Sequence, residues 1–436
     1  MMAGYVDAVR SARLTARLGR VVALAGQAIE AIGPDVAIGE ICTIETGNGA
    51  PLEAEAVALR PGRVVLMPYG DIGGIGIGAR VAAVGRRGDV PAGTDLLGRV
   101  VDPFGAPLDG CPAPRAGGRR ALAAQPINPL SRPPIRTPLH TGIRAIDLFT
   151  PLGRGQRVGI FAGSGVGKST LLGMLARNVE VDVNVIALIG ERGREVREFV
   201  EHSLGADGLR RSVVVVATSD QPALARTRAA LAATALAEDF RAQGKHVLLM
   251  MDSLTRYAMA RREIGLAAGE PPTARGYTPS VFGEIPALCE RCGTIEGGGS
   301  ITALYTVLVE GDDFNEPVSD IVRATLDGHI MLSRQLAHEG HFPAIDVLQS
   351  VSRLAAELSA PEARALVAEA VEVLATYERN RQMVEMGAYK AGSHAALDRA
   401  LDVSPQLRDV LRQAVREPAA RADALAALGR ALGRPA

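Results

Sequence analysis

Residues 157–170 read RVGIFAGSGVGKST: an apolar run, Val158 to Ala162, turns into glycines and ends on Lys168-Ser169-Thr170. The apolar run predicts a strand, and the "LLGMLARN" that follows Thr170 predicts a helix. A strand, a glycine loop and a helix in this order form a phosphate cradle. The backbone N–H groups of Gly163, Ser164, Gly165, Val166 and Gly167 wrap the phosphates, Lys168 reaches the outer oxygens, and the Ser169 hydroxyl, with Thr170 behind it, stands where a Mg²⁺ ligand is needed. The strict pattern begins with Gly. Here Ala162 stands in that place, and the wrapping glycines remain.

Outward from this loop, "VNVIALIG", "SVVVVAT", "HVLLMMD" and "ITALYTVLV" are unbroken hydrophobic runs separated by helical stretches. Such runs suit strands buried on both faces of a largely parallel sheet, so the core over residues 99–357 is expected to be α/β. Before it, residues 21–98 carry short apolar runs broken by glycines, which predicts an all-β barrel domain. A proline-rich stretch from residue 111 joins barrel and core. Residues 358–436, rich in Ala, Leu, Glu and Arg, predict a C-terminal helical domain. In residues 1–20, Arg10, Arg13, Arg17 and Arg20 recur at helical spacing. This predicts an N-terminal helix with one basic face, which is either solvated or docks on a partner or an anionic lipid surface.

Composition narrows the function. The 48 Lys and Arg balance 48 Asp and Glu, so there is no global attraction for nucleic acid. Seven Tyr, eight Phe and no Trp are too few for base-stacking platforms, and Tyr69 is the one ring between residues 21 and 98. Four cysteines make no disulfide framework, and Cys289-x-x-Cys292 without a second pair reads as two ordinary thiols rather than a metal site. No apolar run is long enough to span a membrane. A soluble, cytoplasmic protein is expected.

Phosphate binding alone does not make a hydrolase. Asp252 ends the run "VLLMMD", and an acid at a strand tip beside the phosphate loop is placed to hold Mg²⁺ through water. Arg256, four residues on, is spaced to pair with it. Glu191 leaves the strand "VNVIALIG" at the C-terminal edge, where such sheets bind ligands. On its residues alone, Glu191 reads equally as part of a solvated charged turn or as the group that orients the attacking water.

"AGSGVGKST", "IGERGREVREF", "LLMMDSLTRYAMARREI", "GYTPSVFGEIPALCERCG" and "FPAIDVLQSVSRL", in this order, resemble the hexameric ATPases of the rotary F/V-type and type III secretion superfamily. The resemblance covers most of the chain. It implies a RecA-like P-loop core that binds ATP and Mg²⁺ and hydrolyses ATP. It also implies that Lys168 contacts phosphate, Ser169 and Asp252 serve the metal, and Glu191 polarises the catalytic water. Arg192 and Arg256 match arginines lining the phosphates, Phe342 matches a ring set against adenine, and Arg353 matches a finger donated to the neighbouring subunit. A chain holding both the carboxylate and the finger can close into a ring of identical subunits, a homohexamer. Within the superfamily, "GAYKAGSHAALDRAL" favours the flagellar type III export ATPases, with virulence injectisome ATPases as the close alternative. A hexameric RNA translocase and a non-catalytic scaffold are the alternatives from other classes. The flagellar resemblance implies a regulator on the N-terminal helix, a central stalk protein, an export gate and substrate–chaperone complexes as partners. It also implies a place at the cytoplasmic face of the inner membrane.

Overall fold

The structure, a computed structural model, describes residues 16–47, 49–115, 117–309 and 316–434. Six strands come first: β1 (Leu18–Ala25), β2 (Ala28–Ile32), β3 (Glu40–Ile44), β4 (Leu52–Arg60), β5 (Arg63–Pro68) and β6 (Arg80–Arg87). They pair antiparallel in the order β1-β2-β5-β4-β3-β6, and β6 returns to β1 to close a barrel around Val21, Ile29, Cys42, Ile44, Leu66 and Val81. Closure corrects one boundary. Leu18, Gly19 and Arg20, expected at the end of the N-terminal helix, are strand, because pairing with Arg80–Ala82 is what seals the barrel. Residues 1–15, with Arg10 and Arg13, lie outside the described residues.

The chain continues through β7 (Asp89–Ala92), β8 (Arg99–Val101) and β9 (Gly118–Ala121), with β7 and β9 paired antiparallel, and through a short ladder of β10 (Pro138–Leu139) with β11 (Leu152–Gly153). The core strands follow: β12 (Arg157–Ala162), β13 (Val183–Glu191), β14 (Ser212–Thr218), β15 (His246–Asp252), β16 (Gly293–Thr294), β17 (Ser300–Leu308), β18 (Gly328–Leu332) and β19 (Ile345–Ser352). They form one sheet in the order β19-β18-β12-β17-β15-β13-β14-β8, parallel except for β19 and for β16, which pairs with β17. All five expected core strands are present. The edge strands β8 and β19 and the strand β18 were not expected.

Alternation along the central strands explains the unbroken apolar runs. Val185, Ala187 and Ile189 of β13 pack on one face against the alanine-rich helix Ala223–Ala242. Ile186 and Leu188 pack on the other face with Leu171, Leu172 and Leu175 of the helix Lys168–Asn178. Both faces are dry, so both need apolar side chains. The C-terminal helices Pro361–Glu385, Ala395–Leu411 and Arg421–Ala431 extend the second core through Leu374, Leu397, Leu407 and Leu428.

The join between barrel and core uses the scarce Tyr69. Its ring meets Phe104 edge-on at 5.2 Å, its hydroxyl donates to Glu55, and the Arg228 guanidinium lies over both rings. That ring is half-buried and taken up by these contacts rather than offered to a base.

Candidate active site

The sheet order brings three strand ends together. β12 delivers the glycine loop, β15 delivers Asp252 and β13 delivers Glu191, all at the C-terminal edge of the parallel strands. Asp252 stands level with Leu188, so Glu191 emerges three residues beyond it on the neighbouring strand. The glycine loop ends on Gly167 at φ 89°, which starts the helix Lys168–Asn178 and leaves that helix's first N–H groups free of intrahelical partners.

Lys168 is the hub. Its amine bonds the Oδ1 of the buried Asp252 and stands 3.5 Å from Glu191 Oε1. Burial works against the ammonium, but Asp252 and Glu191 outweigh it and hold the Lys168 pKa above its ordinary value. Thr306 of β17, the strand between β12 and β15, donates a 2.7 Å hydrogen bond to Asp252 Oδ1. Glu191 is different. Burial pushes its carboxyl up, and the neighbouring Asp252 charge adds to this; Lys168 offsets only part, so it is pushed up to about 7. A carboxyl poised near neutrality can take a proton from water and later release it.

The other expected residues are spread around this cluster and beyond it. Phe342 lies beside the phosphate loop: its Cδ1 and Cε1 are 3.7 Å from where a Cβ on Gly167 would stand, and the ring is 47% exposed. Arg256, in the first turn of the helix Leu254–Ala268, covers the turn at Gly190, and its buried Nε meets no hydrogen-bond acceptor. It does not pair with Asp252; its Nη1 faces Met259 Sδ at 3.9 Å. Helix geometry sends it over β13 while Lys168 takes the carboxylate. Arg192 points out of the cluster, 79% exposed, with its nearest ion partner Glu195 at 4.0 Å. Ser169 and Thr170 are exposed at the mouth of the loop.

Arg353 lies at the other end of the sheet. Leu332 of β18 pairs with Ala162 and with Ile345 of the antiparallel β19, whereas Ser352 pairs with Gly328. Four residues of strand, about 13 Å at about 3.3 Å each, therefore separate the level of Ser352 from that of Ala162, and Arg353 and the phosphate loop each lie beyond those ends. Its guanidinium donates to Arg323 O at 3.1 Å.

Thr306 was missed from the sequence. A partial signal was present: Thr306, like Thr302 and Tyr305, puts a hydroxyl into the mostly apolar "ITALYTVLV", and such a buried polar group must find a partner. Cys289 and Cys292 are the buried thiols expected of them, with Cys292 Sγ 3.2 Å from Tyr305 Oη.

With this geometry, three family models match: the ATP synthase alpha/beta family nucleotide-binding domain over residues 142–352, that family's beta-barrel domain over 21–85, and the T3SS EscN ATPase C-terminal domain over 359–430. The chain belongs to the ATP synthase alpha/beta family. Among relatives of this ATP synthase alpha/beta chain, the flagellum-specific ATP synthase of Bacillus subtilis is 50% identical, with 97% of each chain covered. That of Salmonella typhimurium is 51% identical over 94% of this chain and 93% of the other. The type 3 secretion system ATPase of Xanthomonas euvesicatoria is 49% identical over 91% and 90%. The assembled ATPase EscN of the enteropathogenic E. coli type III secretion system superposes with a TM-score of 0.89 at 42% identity, covering 95% of this chain and all of the other. Like its family, the chain is a P-loop ATP hydrolase with a barrel, an α/β core and a C-terminal helical domain.

Proposed function

We propose that this chain is the ATPase of a flagellar type III export apparatus, hydrolysing ATP between the subunits of a homohexameric ring and using the cycle to release substrates from chaperones for export. The observation that carries the hydrolytic reading is Lys168 held between Glu191 and Asp252 at the mouth of a glycine loop. The flagellar reading is supported by relatives near 50% identity along almost the whole length. An injectisome ATPase is the second reading, favoured by the EscN C-terminal match and the Xanthomonas relative.

The residues suit ATP and Mg²⁺. Asp252 and the exposed Ser169 supply hard oxygen donors of the kind Mg²⁺ takes, and the ion would neutralise phosphate charge when bound. Lys168 would trade its carboxylate contacts for the β/γ oxygens, which leaves Glu191 without its nearest cation and a stronger base for the water it orients. Thr306 keeps Asp252 Oδ1 directed while Lys168 moves. Arg256 would offer its unpartnered Nε to the phosphate region, with Arg192 at the rim, and Phe342 would face the base. Arg353 lies too far along the sheet to serve its own loop, which supports a finger given to the next subunit and hence a closed ring.

The partners follow from this reading: a second copy of the chain, a central stalk, a regulator, the export gate and substrate–chaperone complexes. A solved complex of EscN with its central stalk EscO supports the first two, at a TM-score of 0.86 and 42% identity. Among the described residues no helix is long and apolar enough to cross a membrane, so the proposed place at the inner membrane is peripheral. The deciding experiment is a Glu191→Gln variant in the organism: loss of turnover together with loss of motility and flagellar secretion is expected. Intact filaments in cells carrying a turnover-dead enzyme would detach the chain from export, and RNA-stimulated turnover of the wild type would return it to the translocase class.

A further inference from the structure

Gln413 lies in the turn between the helices Ala395–Leu411 and Arg421–Ala431, far from the glycine loop in sequence, and is 5% exposed. Its backbone N–H donates to the carbonyl of Phe342 at 2.9 Å. Its Oε1 accepts from the N–H of Arg144 at 2.9 Å, and its Nε2 donates to the carbonyls of Gly142, at 2.6 Å, and Glu417. Both amide hydrogens and the amide oxygen are therefore used inside the protein. Arg144 completes the knot by donating to Arg412 O and pairing with Glu417 at 3.1 Å. One buried residue thus ties three stretches: its side-chain amide fixes the turn of the C-terminal helical domain to residues 142–144, and the backbone N–H so placed holds the carbonyl of Phe342, whose ring lies against Gly167.

We infer that Gln413 is a positioning residue for the base of the nucleotide, holding Phe342 against the glycine loop and passing shifts of the C-terminal helices to the base side of the site. The inference rests on reading Phe342 as the base-facing ring. Gln is required because the position must accept from one N–H and donate to two carbonyls. Glu has the same shape but cannot donate to Gly142 O and sets a charge against two carbonyl oxygens; Leu has similar bulk and neither function. The phosphate side of the site makes none of these bonds, so the effect falls on the base alone.

The test uses the full-length enzyme with two probes, MgATP and magnesium tripolyphosphate, which carries the phosphates without a base. Gln413→Leu should raise the KM for ATP about tenfold while kcat stays within about twofold, and tripolyphosphate should bind as it does to wild type. Gln413→Glu should show the same split, and it decides the matter should the leucine variant not fold. Adding Gln413→Leu to Phe342→Ala should cost nothing further in ATP affinity. Equal weakening of ATP and tripolyphosphate, or no change in either, overturns the role of Gln413. ATP affinity unchanged in Phe342→Ala alone instead overturns the assignment of the ring.

Discussion

Arg256 packs directly on Gly190: a Cβ at position 190 would stand 3.1 Å from both Cβ and Cγ of Arg256. Gly190 also has φ +68°, a conformation that costs a residue with a side chain about 1–2 kcal/mol. Both constraints act on the peptide that carries Glu191. Gly190→Ala should therefore displace the carboxylate and lower kcat at least about tenfold, since about 1 Å of misplacement is enough for such losses. Nucleotide affinity, set by the glycine loop, should be nearly kept. Steady-state kinetics beside a nucleotide-binding titration checks this, and an unchanged kcat would show that Glu191 is held by something other than this turn.

The pH dependence follows from Glu191. A water-activating carboxylate must be ionised, and burial with the Asp252 charge pushes this one up to about 7. kcat/KM should rise through neutrality with a midpoint near 7 and flatten above it. Glu191→Gln should remove turnover and leave ATP binding in place. The linked stability runs the other way. Because the folded state holds this proton more tightly than the unfolded chain, whose pKa is near 4.5, the contribution is complete below about pH 4.5 and is lost as pH rises through about 7. Unfolding curves of wild type and Glu191→Gln across pH 5 to 8 should converge at the acid end. A flat kcat/KM profile over that range would place the base elsewhere.

Away from the site, Arg291 and Glu238 form a buried bidentate pair at 2.9 and 2.8 Å, with both side chains at most 5% exposed, and Arg291 also donates to Leu122 O. Removing one partner leaves the other charged and buried, so Arg291→Ala should cost about 3–5 kcal/mol. Replacing both with Met and Leu should recover much of that loss. Denaturant unfolding followed by circular dichroism measures both. A single variant as stable as wild type would mean that water reaches the pair.

What could be read from the sequence, and what could not, follows from the range of the forces involved. The glycine loop and Asp252 announce themselves because each sits at the end of a strand whose apolar run is unbroken, and strand ends at one edge of a parallel sheet converge. Glu191 ends a like strand, but its charged turn reads equally as solvated until the family resemblance singles it out. β19 gave no such signal. It is an edge strand, half exposed, with Asp346 and Gln349 inside it, so its texture is mixed. β8 is three residues long and exists only because β14 offers it an edge. Leu18–Arg20 carry helical spacing, yet the unsatisfied edge of β6 claims them. Thr306 and Gln413 matter through partners 54 and 71 residues away, and no local pattern reports such distances.

Arg353 provides the sharpest test of assembly. The register that sets it more than about 13 Å along the sheet from its own glycine loop means that a finger at this position serves a neighbour or nothing. Arg353→Ala and Glu191→Gln should each abolish most turnover in a uniform ring, the first by about 10³-fold or more. Their mixture should not be dead. An interface in which Arg353→Ala contributes the intact Glu191 and Glu191→Gln contributes the intact Arg353 has every group it needs. Random equal mixing creates that interface about one time in four, because each head-to-tail contact draws one face from each subunit. Activity regained on mixing, absent from either variant alone and growing as subunits exchange, is the expected outcome. A mixture as inactive as its components, in rings shown to contain both, would remove the finger from Arg353 and with it the argument that the ring is needed for chemistry.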